Sequence, residues 1–215
     1  AGGKLVKTLV GHRERVEGAI LITGGHILSW ASDYHDEGSL TDKRFLLMWD
    51  ENMKPLHTLI GHTDKVIGAF QLKDSRILTW SADKTIRLWD IKGNLLTTLE
   101  GHTQSIRGVI ALKTDMIVSW DNNTSGASIY LWHRDGHFSH KIGYFYGMLN
   151  GVYELSNGQI LIWCQNNLYL ADEDGTTLSK MSGHKNIVNG VLELPNGNIL
   201  SWSDDKTLRI WDIKG

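Results

Sequence analysis

Short apolar stretches recur along the chain, each running into a tryptophan and then into a polar turn. The second stretch is the clearest. Val66-Ile67-Gly68-Ala69-Phe70 reads as one strand, and Arg76-Ile77-Leu78-Thr79-Trp80 as the next. Ser81-Ala82-Asp83-Lys84 is a tight-turn signal, and Thr85 to Trp89 is a third strand. Ile91-Lys92-Gly93-Asn94 is another turn, and Leu95 to Leu99 a fourth strand. Short apolar or alternating segments between turn residues predict strands. With only two prolines and no helical period, the chain reads as all-β.

The pattern is periodic. Trp30, Trp80, Trp120, Trp163 and Trp202 stand 50, 40, 43 and 39 residues apart. Nineteen residues before four of them lies Gly-His, at Gly11-His12, Gly61-His62, Gly101-His102 and Gly183-His184. Before Trp163 the pair is Tyr144-Phe145. Trp89-Asp90 and Trp211-Asp212 follow nine residues after Trp80 and Trp202. Trp49-Asp50 and Trp132-His133 follow at longer spacings, and Ala171-Asp172 takes that place in the fourth unit. Five units of about 40 residues, each of four short antiparallel strands, predict propeller blades.

Gly-His near the start and Trp-Asp near the end of such a unit resembles the WD-repeat family, over nearly the whole chain. The resemblance implies one β-propeller of five four-stranded blades at about 11–59, 61–99, 101–142, 144–181 and 183–215. It also implies a buried hydrogen-bonded network of His, Ser or Thr, Asp and Trp in each blade. The second blade matches with His62, Thr79, Asp83 and Trp89, and the fifth with His184, Ser201, Asp205 and Trp211. The first matches with His12, Ser29, Asp33 and Trp49, and the third with His102, Ser119 and Trp132, where Asn123 stands near the Asp position. The fourth carries Phe145, Ile162 and Ala171 instead, so apolar packing is expected to hold it. A buried indole N–H needs an acceptor and a buried carboxylate needs donors, so the network is a structural device.

The repetition also weighs against catalysis. A nucleophile and its base are needed once per active site, whereas the Ser-His-Asp trio recurs. His133, His137 and His140 flank a hairpin turn and need not converge on a metal. Asp172-Glu173-Asp174-Gly175 aligns with the plain turn Asp90-Ile91-Lys92-Gly93 rather than a calcium loop. No cofactor motif is present, and the chain reads as non-enzymatic. The second tryptophan series, Trp30 to Trp202, is expected to fill the core between blades.

Lys plus Arg is 22 against 24 for Asp plus Glu, a balance that disfavours nucleic acid. A single cysteine, Cys164, excludes an internal disulfide. No signal-like start and no membrane-length run are present, which points to a cytoplasmic protein without membrane attachment.

Departures from the repeat mark the expected partner site. They are the insertion that begins Tyr34-His35-Asp36-Glu37, the run Tyr144-Phe145-Tyr146 with Met148 nearby, and the varied residue before each inner-strand glycine. That last series is Glu17, Ile67, Arg107, Asn150 and Asn189. In WD-repeat proteins these places lie on the face that commonly binds partners, so the resemblance implies a protein-interaction scaffold. A small-ligand or glycan-binding propeller is the alternative. Finally, Lys4-Leu5-Val6-Lys7-Thr8-Leu9 resembles the fourth strands at 54–59 and 94–99. It is expected to complete the last blade beside Leu208-Arg209-Ile210-Trp211, within one chain or by strand exchange in a homodimer.

Overall fold

A computed structural model describes residues 2–32, 46–122 and 125–213. Contacts divide the chain into two compact units, Ala1–Gly101 and His102–Gly215.

The first unit holds two antiparallel sheets, each with its strands in chain order. One is β1 (Val16–Ile22), β2 (His26–Ala31), β3 (Leu46–Trp49) and β4 (Pro55–Thr58). The other is β5 (Val66–Gln71), β6 (Ile77–Ser81), β7 (Ile86–Trp89) and β8 (Leu95–Leu99). Strand alternation sends one residue set to each sheet face. Leu28, Leu46 and Met48 of the first sheet meet Val66, Ala69 and Ile77 of the second in one buried cluster.

The second unit holds three sheets. The third of the chain is β9 (Ile106–Ala111), β10 (Ile117–Asn122), β11 (Gly126–Trp132) and β12 (Phe138–Tyr146). The fourth is β13 (Leu149–Glu154), β14 (Ile160–Cys164), β15 (Asn167–Ala171) and β16 (Thr177–Ser182). The fifth has three strands, β17 (Val188–Glu193), β18 (Ile199–Ser203) and β19 (Leu208–Trp211). Val118, Ile129 and Phe145 pack with Val152, Ile160 and Ile162, while Leu161, Leu168 and Leu170 pack with Val188 and Ile199.

The expected elements form with one correction. Four sheets have four strands, but the fifth has three among the described residues, and 2–10 form no strand. The likeness of Lys4–Leu9 to a fourth strand is therefore not expressed as pairing. Leu208 and Ile210 stay 68% and 63% exposed on the last strand. The turns follow their chemistry. Asp90 Oδ1 accepts from the Lys92 and Asn94 N–H groups, and Gly93 takes the positive φ of 82° that the bend requires. Asp172 holds Thr176 N–H in the same way, so the acidic run 172–174 is this plain turn again.

Candidate functional site

Four of the sheets build their sites from a His loop before the first strand, the start of that strand, and the end of the second strand or the turn after it. Antiparallel pairing brings all three to one end, as Val66 opposite Ser81 illustrates.

In the second sheet the expected network is complete. The Trp89 indole N–H donates to Thr79 Oγ1 at 2.9 Å. Thr79 Oγ1 lies 2.8 Å from His62 Nε2, and His62 Nδ1 lies 2.8 Å from Asp83 Oδ2. Asp83 also accepts from the backbone N–H groups of Thr63 and Thr85. One proton arrangement satisfies every member: Thr79 donates to Nε2, and Nδ1–H donates to the carboxylate. That arrangement needs a neutral imidazole. Burial, opposed by Asp83, holds the His62 pKa below its ordinary 6.5. Burial works against the Asp83 charge, yet the hydrogen bonds from His62, Thr85 and Thr63 outweigh it and hold its carboxyl far below the usual range.

The fifth sheet repeats the geometry. His184 bridges Ser201 and Asp205, both at 2.8 Å, and Trp211 donates to Ser201 at 2.8 Å. In the first sheet His12 reaches Ser29 at 2.7 Å and Trp49 donates to Ser29 at 2.8 Å. Asp33, and the insertion residues Tyr34, His35, Asp36 and Glu37, lie outside the described residues.

The third sheet has a complete network with a carboxylate that the sequence reading missed. His102 Nδ1 lies 2.8 Å from Asp121 Oδ2, and Nε2 lies 2.6 Å from Ser119 Oγ, which accepts from Trp132 at 2.8 Å. Asp121 is two residues past Ser119 on β10, so both project from one face. The wild spacing explains it: Trp132 follows Trp120 by twelve residues rather than nine, and the longer hairpin keeps Asp121 inside the strand. Tyr130, opposite Ser119, packs edge-on against His102 with centroids 4.3 Å apart. In the fourth sheet Ile162 and Ala171 are buried in apolar surroundings as expected, with Phe145 edge-on to Tyr169 at 5.0 Å.

The same lengthened hairpin places the aromatic run. Tyr144, Phe145 and Tyr146 close β12, opposite Ser128, Ala127 and Gly126. They belong to the outer strand of the third sheet, not to a loop that opens the fourth. Phe145 is buried, Tyr144 and Met148 are exposed, and Tyr146 is 85% exposed.

All five residues of the varied series share one backbone feature. Glu17, Ile67, Arg107, Asn150 and Asn189 each sit where the first strand slips register against the second, between Val16 and Gly18 and its equivalents. Such a bulge re-aims its extra side chain. Beyond each bulge a glycine faces a tryptophan: Gly18 and Trp30, Gly68 and Trp80, Gly108 and Trp120, Gly151 and Trp163, Gly190 and Trp202. A Cβ on any of these glycines would lie 2.1–2.3 Å from the indole. The second tryptophan series thus covers its own sheet's glycine. Trp30 is buried, Trp80, Trp120 and Trp163 are half-buried, and Trp202 is exposed.

The bulge residues differ in surroundings. Glu17 is held by Lys65 at 3.0 Å, and its hydrogen bonds with Lys65 and Ser32 lower its pKa. In the second unit a hydrogen-bonded seam runs along the bulges. Asn122 Nδ2 donates to Leu149 O and Asn122 Oδ1 accepts from Leu149 N–H. Asn150 donates to Val188 O at 2.8 Å, and Asn189 to Asp204 at 2.6 Å. Arg107, Trp120, Asn122, Met148, Asn150 and Asn189 line a hollow of about 510 Å³ there. Arg107 is exposed, and no described side chain pairs with its guanidinium. Elsewhere, His137 pairs with Asp135 and His140 contacts the Asp174 carbonyl. Among the described residues no three His, Cys, Asp or Glu gather as a metal site. Cys164 is buried, which pushes its thiol up to about 11.

These repeated sheets, with their buried His–Asp networks, resemble the blades of WD-type β-propellers. The family model for the WD domain, G-beta repeat, matches residues 53–90 and 175–212. Two solved structures share the fold. A computationally designed protein, Ika8, matches with a TM-score of 0.72 and 21% identity, over 94% of this chain and 60% of its own. The WD40 β-propeller domain of Doa1 matches with a TM-score of 0.57 and 23% identity, over 96% of this chain and 81% of its own. No curated protein matches. Two segments of the chain thus match the WD repeat, and its fold is that of the β-propellers it resembles. It spans about three fifths of the designed chain. WD40 propellers are in general non-catalytic scaffolds for protein interaction. No described helix is long and apolar enough to cross a membrane.

Proposed function

We propose that this chain is a non-catalytic module that holds a partner protein at the His-loop ends of its sheets. The observation that carries this reading is the bulge series. Five backbone positions are built alike, each anchored by a glycine under an indole, yet they present Glu17, Ile67, Arg107, Asn150 and Asn189. A constant frame that displays varied side chains is what recognition needs. Tyr144, Tyr146 and Met148 add exposed apolar surface on the lengthened third sheet and the segment after it. Aromatic and Met side chains are favoured at protein interfaces.

The test is affinity purification with mass spectrometry. Arg107→Glu and Tyr146→Ala should each deplete the same partner at least tenfold with an unchanged melting temperature. Lys92→Glu, in a turn at the other end of the second sheet, should retain it. Loss with Lys92→Glu alone contradicts the reading.

A further inference from the structure

The hollow in the second unit has a chemistry that narrows its occupant. Its lining includes one formally charged side chain, Arg107, which is exposed and has no described partner. Asp204 meets the lining at the Asn189 amide, which donates to its carboxylate, and through its own backbone N–H at the Ile187 carbonyl. The asparagines are fixed by their own bonds. Asn122 uses both ends of its amide on Leu149, whereas Asn150 and Asn189 each donate once and keep Oδ1 for a ligand. Met148 and the Trp120 ring supply adaptable and rigid apolar surface on the same walls. A volume of about 510 Å³ suits a few side chains of a bound segment.

We infer that this hollow takes a carboxylate-bearing, otherwise apolar segment of a partner protein, an Asp or Glu beside an aliphatic residue. The inference rests on reading the His-loop ends as the partner face. Arg107 would receive the carboxylate through paired N–H donors, a geometry that a planar guanidinium provides. The asparagine carbonyls would accept backbone N–H groups of the segment, and Met148 and Trp120 would cover the aliphatic neighbour. Charge selects the carboxylate over a phosphorylated residue. One guanidinium matches a monoanion, while a dianion would meet a single cation with Asp204 at the rim.

A random dodecapeptide library displayed on phage and panned on the full chain tests this. Enriched peptides should carry Asp or Glu next to Leu, Ile or Val. Measured by fluorescence anisotropy, glutamine in place of the acid should weaken binding at least tenfold, and phosphoserine should bind worse than glutamate. Arg107→Glu should lose at least tenfold with an unchanged melt and should gain affinity for the lysine version of the same peptide. Enrichment of no peptide, or indifference to the acid, overturns the inference. If Met148→Ala and Asn150→Ala weaken binding while the acid is dispensable, the partner face stands and the carboxylate fails. If only Lys92→Glu weakens binding, the partner face itself fails.

Discussion

The Trp120 indole lies directly over Gly108, so close that a Cβ on the glycine would come within 2.1 Å of Cζ2. The same pairing holds in every sheet, and in this one it sets a wall of the candidate site. Gly108→Ala should therefore cost about 1–3 kcal/mol by overpacking. In a Trp120→Ala background the same substitution should cost under about 0.5 kcal/mol, because the clash is gone and alanine suits a strand better than glycine. Denaturant melts of the four proteins check this. Equal costs in both backgrounds would show that the indole is not the reason for the glycine.

Asp121 should behave as the missing network acid. Asp121→Ala leaves the buried His102 N–H without an acceptor and should cost about 2–4 kcal/mol. Asn166→Ala removes two partly buried neutral bonds, one to the His184 carbonyl and one from the Asn167 amide, and should cost about 1 kcal/mol. Similar losses in thermal melts would remove Asp121 from its assigned role.

What the sequence made legible follows from spacing. Gly-His, Ser or Thr and Trp recur at fixed offsets, so the sheets, the Ser or Thr partner of each network histidine, and the acids Asp83 and Asp205 could be placed without coordinates. Asp121 breaks the offset: it follows Ser119 by two residues, whereas Asp83 and Asp205 follow Thr79 and Ser201 by four. The twelve-residue step from Trp120 to Trp132 was the available signal, since it implies a longer hairpin. The lengthened β11 demands a longer β12, which draws Tyr144–Tyr146 into the third sheet. The tryptophan-over-glycine pairing was also legible in principle. Each tryptophan follows its glycine by twelve residues, an offset that antiparallel neighbours convert into contact. Bulges leave no sequence mark of their own, because they are set by pairing.

Stability should fall below neutral pH through His62. Its folded pKa lies below 6.5, with burial the leading cause, so the unfolded chain takes up a proton first as pH drops. The loss begins near pH 6.5 and levels off once pH passes the folded value. Asp83 works lower: its depressed pKa adds stability above about 3.8, lost as pH falls through the folded value. Between pH 7 and 5, the stability of the wild type should fall more steeply than that of His62→Gln, by at most about 1.4 kcal/mol per pH unit. Parallel slopes would contradict a neutral buried His62.

The open strand β19 should be sticky. Leu208 and Ile210 are exposed, and its outer edge is unpaired among the described residues. We expect this edge to recruit another copy's residues 4–9, giving masses above 24.2 kDa that rise with concentration in light scattering. Leu208→Lys with Ile210→Lys should hold the mass at 24.2 kDa. A wild type that stays at that mass at all concentrations would contradict the expectation.

The most direct test of a partner face at the His-loop ends is site-specific photo-crosslinking. A benzophenone side chain would be placed singly at position 107, 146 or 189, and at position 92 or 157 in turns at the opposite ends of their sheets. Irradiation of the chain with its purified partner should give crosslinks from the first three positions, at least tenfold above those from the other two. Crosslinks that come chiefly from positions 92 and 157 would contradict the assignment.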